Sequence, residues 1–224
     1  LKNYREGVGG RAKTDLTDAQ LLARYLRKEK DELRRWAPPP KAYRTLQSLL
    51  RRRAALGKAR TALRQSLSAE PLLKQIDRID HLIQKRLREA VHAAGLRDQV
   101  QRCQAIDGIG ELTATALVMA FLRGDFQNSD AFVAFLGLDV RVRDSGKLKG
   151  KRRLTKQGDT EVRRLLHCSA MSGARHPTWK AFYQRYRDRG LKTTQALVIL
   201  ARKLARVAFA LMKYQENYCA PRLS

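Results

Sequence analysis

Scarcity narrows the chain first. Only 21 Asp and Glu stand against 47 Lys and Arg, a formal net charge of +26 over 224 residues. Cysteine is rare: Cys103, Cys168 and Cys219 are odd in number and far apart. That excludes a disulfide framework and points to a reducing, cytoplasmic setting. No CxxC pair occurs, and His167 beside Cys168 is a poor zinc signature, because helical neighbours point about 100° apart. No run of about 18 apolar residues appears, so no membrane-spanning helix is expected. Aromatics make up only 7%, and three of the six prolines fall together at Pro38, Pro39 and Pro40. The chain opens on Leu1 without a signal-peptide pattern, and reads as part of a longer sequence.

What is present sets the class. An apolar fraction of 43% excludes a disordered basic tail and suffices for one or two cores. A large cationic surplus on a folded chain is costly unless a polyanion shares its space. Each phosphate neutralised by Lys or Arg releases condensed counterions, so nucleic acid is the expected partner, ahead of a merely solvated cationic surface. No single amphipathic helix concentrates the excess, which disfavours a membrane-surface role.

Residues 1–14 read as a glycine-rich basic loop. A helix is expected from Asp15, with Leu21, Leu22, Tyr25 and Leu26 on one face, until the proline block stops it. From 41 to 67, Leu49, Leu56 and Leu63 recur every seven residues, with Leu46 and Leu67 at companion positions. Arg53 and Arg60 occupy two further companion positions, so this is no free-standing zipper. After a turn at 68–71, a second helix to about Ala94 carries Leu72, Ile76, Ile79, Ile83, Leu87 and Val91. The pair reads as a helical hairpin or coiled-coil arm. Arg51, Arg52, Arg53, Arg60 and Arg64 are available to a phosphate backbone or to solvent alone. Beyond 97, helices are expected at 97–105, 111–123, 129–136, 158–174, 177–189 and 192–214. The alternation at 140–143 suggests a short strand, with 148–154 as its partner or a loop.

Three constellations could carry chemistry. Asp15 and Asp18, three apart, place two carboxylates on one helical face, a spacing that can present oxygen ligands to Mg²⁺. The same residues equally suit a first helical turn, where acids complement the dipole and Asp or Thr caps the end. The run 104–114 contains Gly108-Ile109-Gly110 between two helices, a helix-hairpin-helix pattern. Its glycines admit a phosphate and its second helix offers N–H donors; a ligand-free corner reads the same way. The third is Asp144-Ser145-Gly146 followed by Lys147, Lys149, Lys151, Arg152, Arg153 and Lys156, with Arg163 and Arg164 on the next helix. A serine hydroxyl needs a base or metal to act as nucleophile, no local histidine supplies one, and a plain turn fits the composition as well.

In order and spacing, KTDLTDA, AIDGIGELTATAL, FVAFLGLDVRVRDSGK, RRLTKQGDTEVRRLL and ALVILARKLARVAFALMK resemble the insertion-sequence 110 (DEDD) transposases, relatives of the Piv invertases. The resemblance runs from about residue 11 to 214. It implies a mainly α chain in three parts. Residues 1–36 are the C-terminal remnant of a RuvC-like (RNase H-fold) α/β nuclease domain, and 37–96 a proline linker and coiled-coil arm. Residues 97–224 are a mostly helical transposase domain with the helix-hairpin-helix and the serine loop. It further implies a bacterial, nucleoid-associated DNA recombinase guided by a bridge (seeker) RNA and acting on donor and target DNA as a homodimer or homotetramer. Mg²⁺ is held by an Asp, a Glu and two Asp, of which Asp15 and Asp18 match the last two, and Ser145 matches the nucleophile. The first Asp and the Glu have no counterpart here, so this chain alone is expected to bind nucleic acid without cutting it. Two other functions stay open: a non-catalytic helix-hairpin-helix binding protein, and a Piv-like invertase that needs no RNA.

Overall fold

The computed structural model describes residue 4 and residues 14–33, 36–66, 70–141 and 153–220. The chain divides into two units, Leu1–Pro38 and Pro39–Ser224. In the first, helix α1 spans Asp15–Glu29. Thr14 caps it: its hydroxyl accepts from the Thr17 amide (3.2 Å), and the Thr17 hydroxyl accepts from the Thr14 amide (3.0 Å). Tyr4, within the stretch read as loop, is helical and sets its ring edge-on to Tyr25 at 4.9 Å. The expected apolar face is not buried within this unit: Leu22 and Leu26 remain 42% and 52% exposed.

The second unit begins with an antiparallel hairpin, α2 (Lys41–Ser66) and α3 (Glu70–Ala93). Glu70 and Pro71, expected in the turn, already belong to α3, since proline in a first turn gives up no helical hydrogen bond. The heptad positions of α2 do line the seam, and the two arginines among them are matched from the other helix. Arg53 reaches Asp80 and Arg60 reaches Asp77, each at 3.0 Å. Most of the expected α3 stripe faces inward, Leu87 and Val91 buried and Ile76 and Ile83 half-buried; Leu72 and Ile79 lie outside, 52% and 45% exposed, and Leu73 is half-buried in place of Leu72.

Seven further elements of the helical body follow. They are α4 (Arg97–Gln104), α5 (Glu111–Phe121), α6 (Ser129–Phe135), α7 (Thr160–Gly173), α8 (Pro177–Asp188) and α9 (Thr193–Tyr214), with strands β1 (Val140–Arg141) and β2 (Arg153–Leu154) counted together as one small ladder between α6 and α7. Each helix lies within two residues of its expected bounds. α5 is apolar all round, and residues 113–120 are all buried, as such a helix must be. α9 packs along α4, α5, α6, α7 and α8. At one end, Phe121, Phe126, Phe132 and Phe209 meet ring to ring at 5.1–6.3 Å. The Lys213 ammonium closes that end on the Phe126 and Gln127 carbonyls. The buried Ser169 hydroxyl donates to the Thr113 hydroxyl at 2.9 Å, and Thr113 donates onward to the Leu165 carbonyl at 3.4 Å.

The expected boundary at 96/97 separates no cores. Tyr43, Leu46, Leu50, Leu87, Val91 and Leu96 belong to the same buried cluster as Leu117, Leu166 and Leu204. The base of the arm is therefore part of the body, and only its distal half stands out from the core.

Candidate functional site

The loop 142–152, with Ser145, Lys147, Lys149, Lys151 and Arg152, lies outside the described residues; its foot lies within them. β1 and β2 pair antiparallel, Val140 opposite Leu154 and Arg141 opposite Arg153. Below the ladder the Thr155 amide donates to the Asp139 carbonyl (3.0 Å) and the Lys156 amide to the Gly137 carbonyl (3.2 Å). The Thr155 hydroxyl donates to the Asp139 carboxylate. Two glycines let the backbones close on one another. Gly137 has φ +70, and a Cβ there would stand 2.8 Å from the Gln157 amide nitrogen; one at Gly158 would stand 2.5 Å from the Phe135 carbonyl oxygen. Both ends of the serine loop are thus fixed by main-chain contacts that tolerate no larger residue.

Among the basic candidates at this foot, Arg153 and Lys156 are exposed. Arg163 turns back to the Leu136 carbonyl (3.4 Å) and the Thr160 hydroxyl (3.3 Å). Arg164 forks onto the Glu161 carboxylate at 2.7 and 2.6 Å, which holds its guanidinium above the ordinary arginine range. On the arm, Arg51 and Arg52 are exposed. Arg53 faces the hairpin seam, where Asp80 engages it, because the heptad phase points that position at α3.

Asp159 joins the foot to the arm, a role that the sequence pattern left unassigned. It is the N-cap of α7, one carboxylate oxygen accepting from the Glu161 amide at 2.9 Å. The other oxygen accepts from Gln47 Nε2 (3.2 Å) and from the Arg51 guanidinium (3.4 Å). Gln47 also donates to the Tyr43 hydroxyl (3.0 Å). Burial first, then the nearby Asp159 charge, pushes the Tyr43 hydroxyl above its usual pKa. An Asp directly before Thr-Glu at a helix start was the available signal for the cap; nothing local marked its partners on α2.

The 105–110 turn has two different glycines. Gly108 sits at φ +90, and a Cβ on it would lie 2.8 Å from both Cα and N of Gly173 and 2.9 Å from the Ser169 carbonyl oxygen. Its small size serves the crossing of this turn over the end of α7. Gly110 caps α5 and has open space around it. Beside Gly108, Asp107 gathers the far end of the chain. Its carboxylate accepts from Thr178 (2.7 Å) and Tyr218 (3.4 Å), and its carbonyl from the Trp179 indole (2.9 Å). Burial, then Asp107, pushes the Tyr218 hydroxyl up to about 12. In the first turn of α5, Glu111 takes a forked ion pair from Arg88 of α3 (2.7 and 2.9 Å). The Arg88 hydrogen bonds draw the Glu111 carboxyl below its usual range.

Asp15 and Asp18 both lie in the first turn of α1. They are the hard oxygen donors that Mg²⁺ takes, and they fit as part of a donor set rather than a full one. No group of three or more His, Cys, Asp or Glu able to hold a metal occurs among the described residues. The three cysteines are free; burial pushes the Cys103 thiol up to about 12, which leaves it inert. No helix among the described residues is long and apolar enough to cross a membrane.

Comparison with known proteins places the sequence in a class. A model of DEDD-type transposases matches residues 1–77, and the model "Transposase IS116/IS110/IS902 family" matches residues 100–184. The pilin gene-inverting protein of Moraxella bovis is 29% identical over 236 aligned positions, covering 96% of this chain and 70% of that protein. Its Moraxella lacunata counterpart is 28% identical, with the same coverage of each. The transposase for insertion sequence element IS1111A of Coxiella burnetii is 34% identical, over 56% of this chain and 36% of that protein. The class is that of DNA transposases and site-specific recombinases. Within it, the chain belongs to the IS110 transposase family, to which the gene-inverting proteins are related.

Proposed function

We propose that this chain is the larger part of an insertion-sequence DNA recombinase that cuts and rejoins strands through Ser145. The observation that supports it most is the foot of the serine loop. A serine nucleophile must be delivered with little freedom, and the ladder, the Asp139–Thr155 bond and the two glycine contacts leave its loop two rigid ends. In the reaction, Ser145 Oγ attacks a DNA phosphorus. An Oγ–P bond forms, a P–O bond to deoxyribose breaks, and the serine proton ends on the departing deoxyribose oxygen. One phosphodiester replaces another, so no outside energy source is required. Reversal with a different strand's hydroxyl would complete the exchange.

The DEDD match at 1–77 supports reading α1 as the end of a RuvC-like domain. Asp15 and Asp18 would then share Mg²⁺ with further carboxylates. Bound there, the ion supplies charge stabilisation at a reacting phosphoryl group. Lys147, Lys149, Lys151, Arg152, Arg153 and Lys156 would hold the strands near Ser145. A guide RNA, a homodimeric or homotetrameric assembly and phosphate contact at Gly110 belong to the same reading.

The test is trapping of covalent protein–DNA adducts. Ser145→Ala should abolish them while duplex affinity stays within about two-fold of wild type; adducts that persist would place the nucleophile elsewhere. A second reading, an invertase without an RNA guide, is favoured by similarity to the Moraxella proteins along 96% of this chain. One discrete RNA co-purifying with the protein, and required for recombination, would exclude it.

A further inference from the structure

The arm sorts its cations into two groups. α2 holds eight Lys and Arg and no acid in 26 residues. On one side, Arg51, Arg53 and Arg60 are answered by Asp159, Asp80 and Asp77. On the other side, Lys41, Arg44 and Arg52 of α2 and Arg86 of α3 border an open groove of about 860 Å³. None of these four forms an ion pair among the described residues. The hydroxyls of Thr45 and Ser48 lie between them, and Glu89 is the one acid of the lining.

We infer that this groove is a docking site for the phosphate backbone of double-helical DNA. Positions 41, 44, 45, 48 and 52 follow the spacing of a single helical face. The eleven steps from position 41 to position 52, at 1.5 Å rise each, give the row a length of about 17 Å. Duplex DNA carries one charge per about 1.7 Å of axis, so a row of that length running along a backbone strand meets several phosphates. Besides small and aliphatic side chains (Leu49, Ala90 and Ala93), the lining offers charge and hydroxyls. It holds no aromatic ring on which an unpaired base could stack and no Asn or Gln to read a base edge. Such a surface suits a backbone in which the bases are already paired. Like charges along α2 repel one another, and a phosphate row would relieve a repulsion that the single Glu89 against four cations leaves largely unanswered. The choice of DNA rests on reading the protein as a DNA recombinase.

The experiment measures affinity by fluorescence anisotropy, against a duplex DNA of arbitrary sequence, across a salt series. At about −0.9 in slope per phosphate contact, Arg44→Gln with Arg52→Gln should reduce the log–log salt slope by about 1.8. The affinity advantage of wild type over the variant should then shrink about 12-fold between about 50 and about 200 mM salt. Arg44→Lys with Arg52→Lys should keep the slope, and all variants should melt with the wild type because these side chains form no ion pair among the described residues. Binding of single-stranded DNA of equal length should change less than binding of the duplex.

An unchanged slope in the glutamine variant would overturn the proposal. So would equal competition by polyglutamate of matched charge, which would make the groove a protein-docking face, or a loss confined to duplex RNA. Failure of the catalytic reading is separately visible: a protein with groove-dependent DNA binding but no Ser145 adduct refutes the nucleophile and leaves the groove standing.

Discussion

Replacing Gly108 with alanine separates the two roles that a Gly-x-Gly turn can play. The backbone at Gly108 has φ +90, and holding an L side chain in a left-handed conformation costs about 1–2 kcal/mol. The added methyl would also stand 2.8–2.9 Å from backbone atoms of Gly173 and Ser169. Those atoms belong to α7, which packs on both α5 and α9, so the helix cannot yield alone. Overpacking of this kind costs about 1–3 kcal/mol. The expected loss is about 3 kcal/mol, which lowers the melting temperature of a chain this size by about 6–12 °C. Gly110→Ala is the control. Its backbone is extended and its surroundings are open, so only a poorer N-cap is introduced, at about 0.5 kcal/mol. Thermal denaturation followed by circular dichroism reads both. A Gly108→Ala protein that melts within about 2 °C of wild type would refute the packing account and return this glycine to the phosphate role.

Asp159→Ala removes a cap and the hydrogen bonds to Gln47 and Arg51 together. It should lower unfolding stability by about 2 kcal/mol, while Asp159→Asn, which still caps, should lose less than about 1 kcal/mol; denaturant titration distinguishes them. Because the folded protein holds the Tyr218 hydroxyl up to about 12, the folded state keeps that proton where the unfolded chain sheds it. The contribution of Tyr218 is therefore full below about pH 10 and is lost as pH rises from there towards about 12. Tyr218→Phe should flatten this alkaline decline in a pH series of melts, and an unaltered decline would assign it to other groups.

The helices were legible because their boundaries rest on local chemistry: three prolines before Lys41, a cap before Thr160, proline at the start of α8. The body read as helical for the same reason. What stayed hidden was distant. At Gly108 a phosphate site and a ligand-free corner read alike in the sequence, because Gly173, which its packing meets, lies 65 positions along, beyond any local pattern. Asp159 and Gln47 are separated by 112 residues, and only the folded chain joins the arm to the loop foot. The arginine seam is an intermediate case. Pairing α2 and α3 antiparallel about their midpoint brings position 53 opposite about 83 and position 60 opposite about 76, within one helical turn of Asp80 and Asp77. The acids at those places were therefore available to a reading that paired the two helices rather than treating each alone.

The same pairing changes what a charge count can mean. A surplus of +26 suggests that every arginine is a candidate phosphate contact, but a guanidinium already held by a carboxylate brings little new free energy to a phosphate. To bind DNA through Arg53 or Arg60 the protein would first have to strand Asp80 or Asp77 in the half-buried seam. The same holds for Arg164 with Glu161, whose carboxylate is only 10% exposed. Free cations such as Arg44, Arg52 and Arg86 carry no such penalty. Contact number is therefore set by which acids lie within reach in the fold. The salt dependence of DNA binding should follow the unpaired groups and fall short of the formal charge.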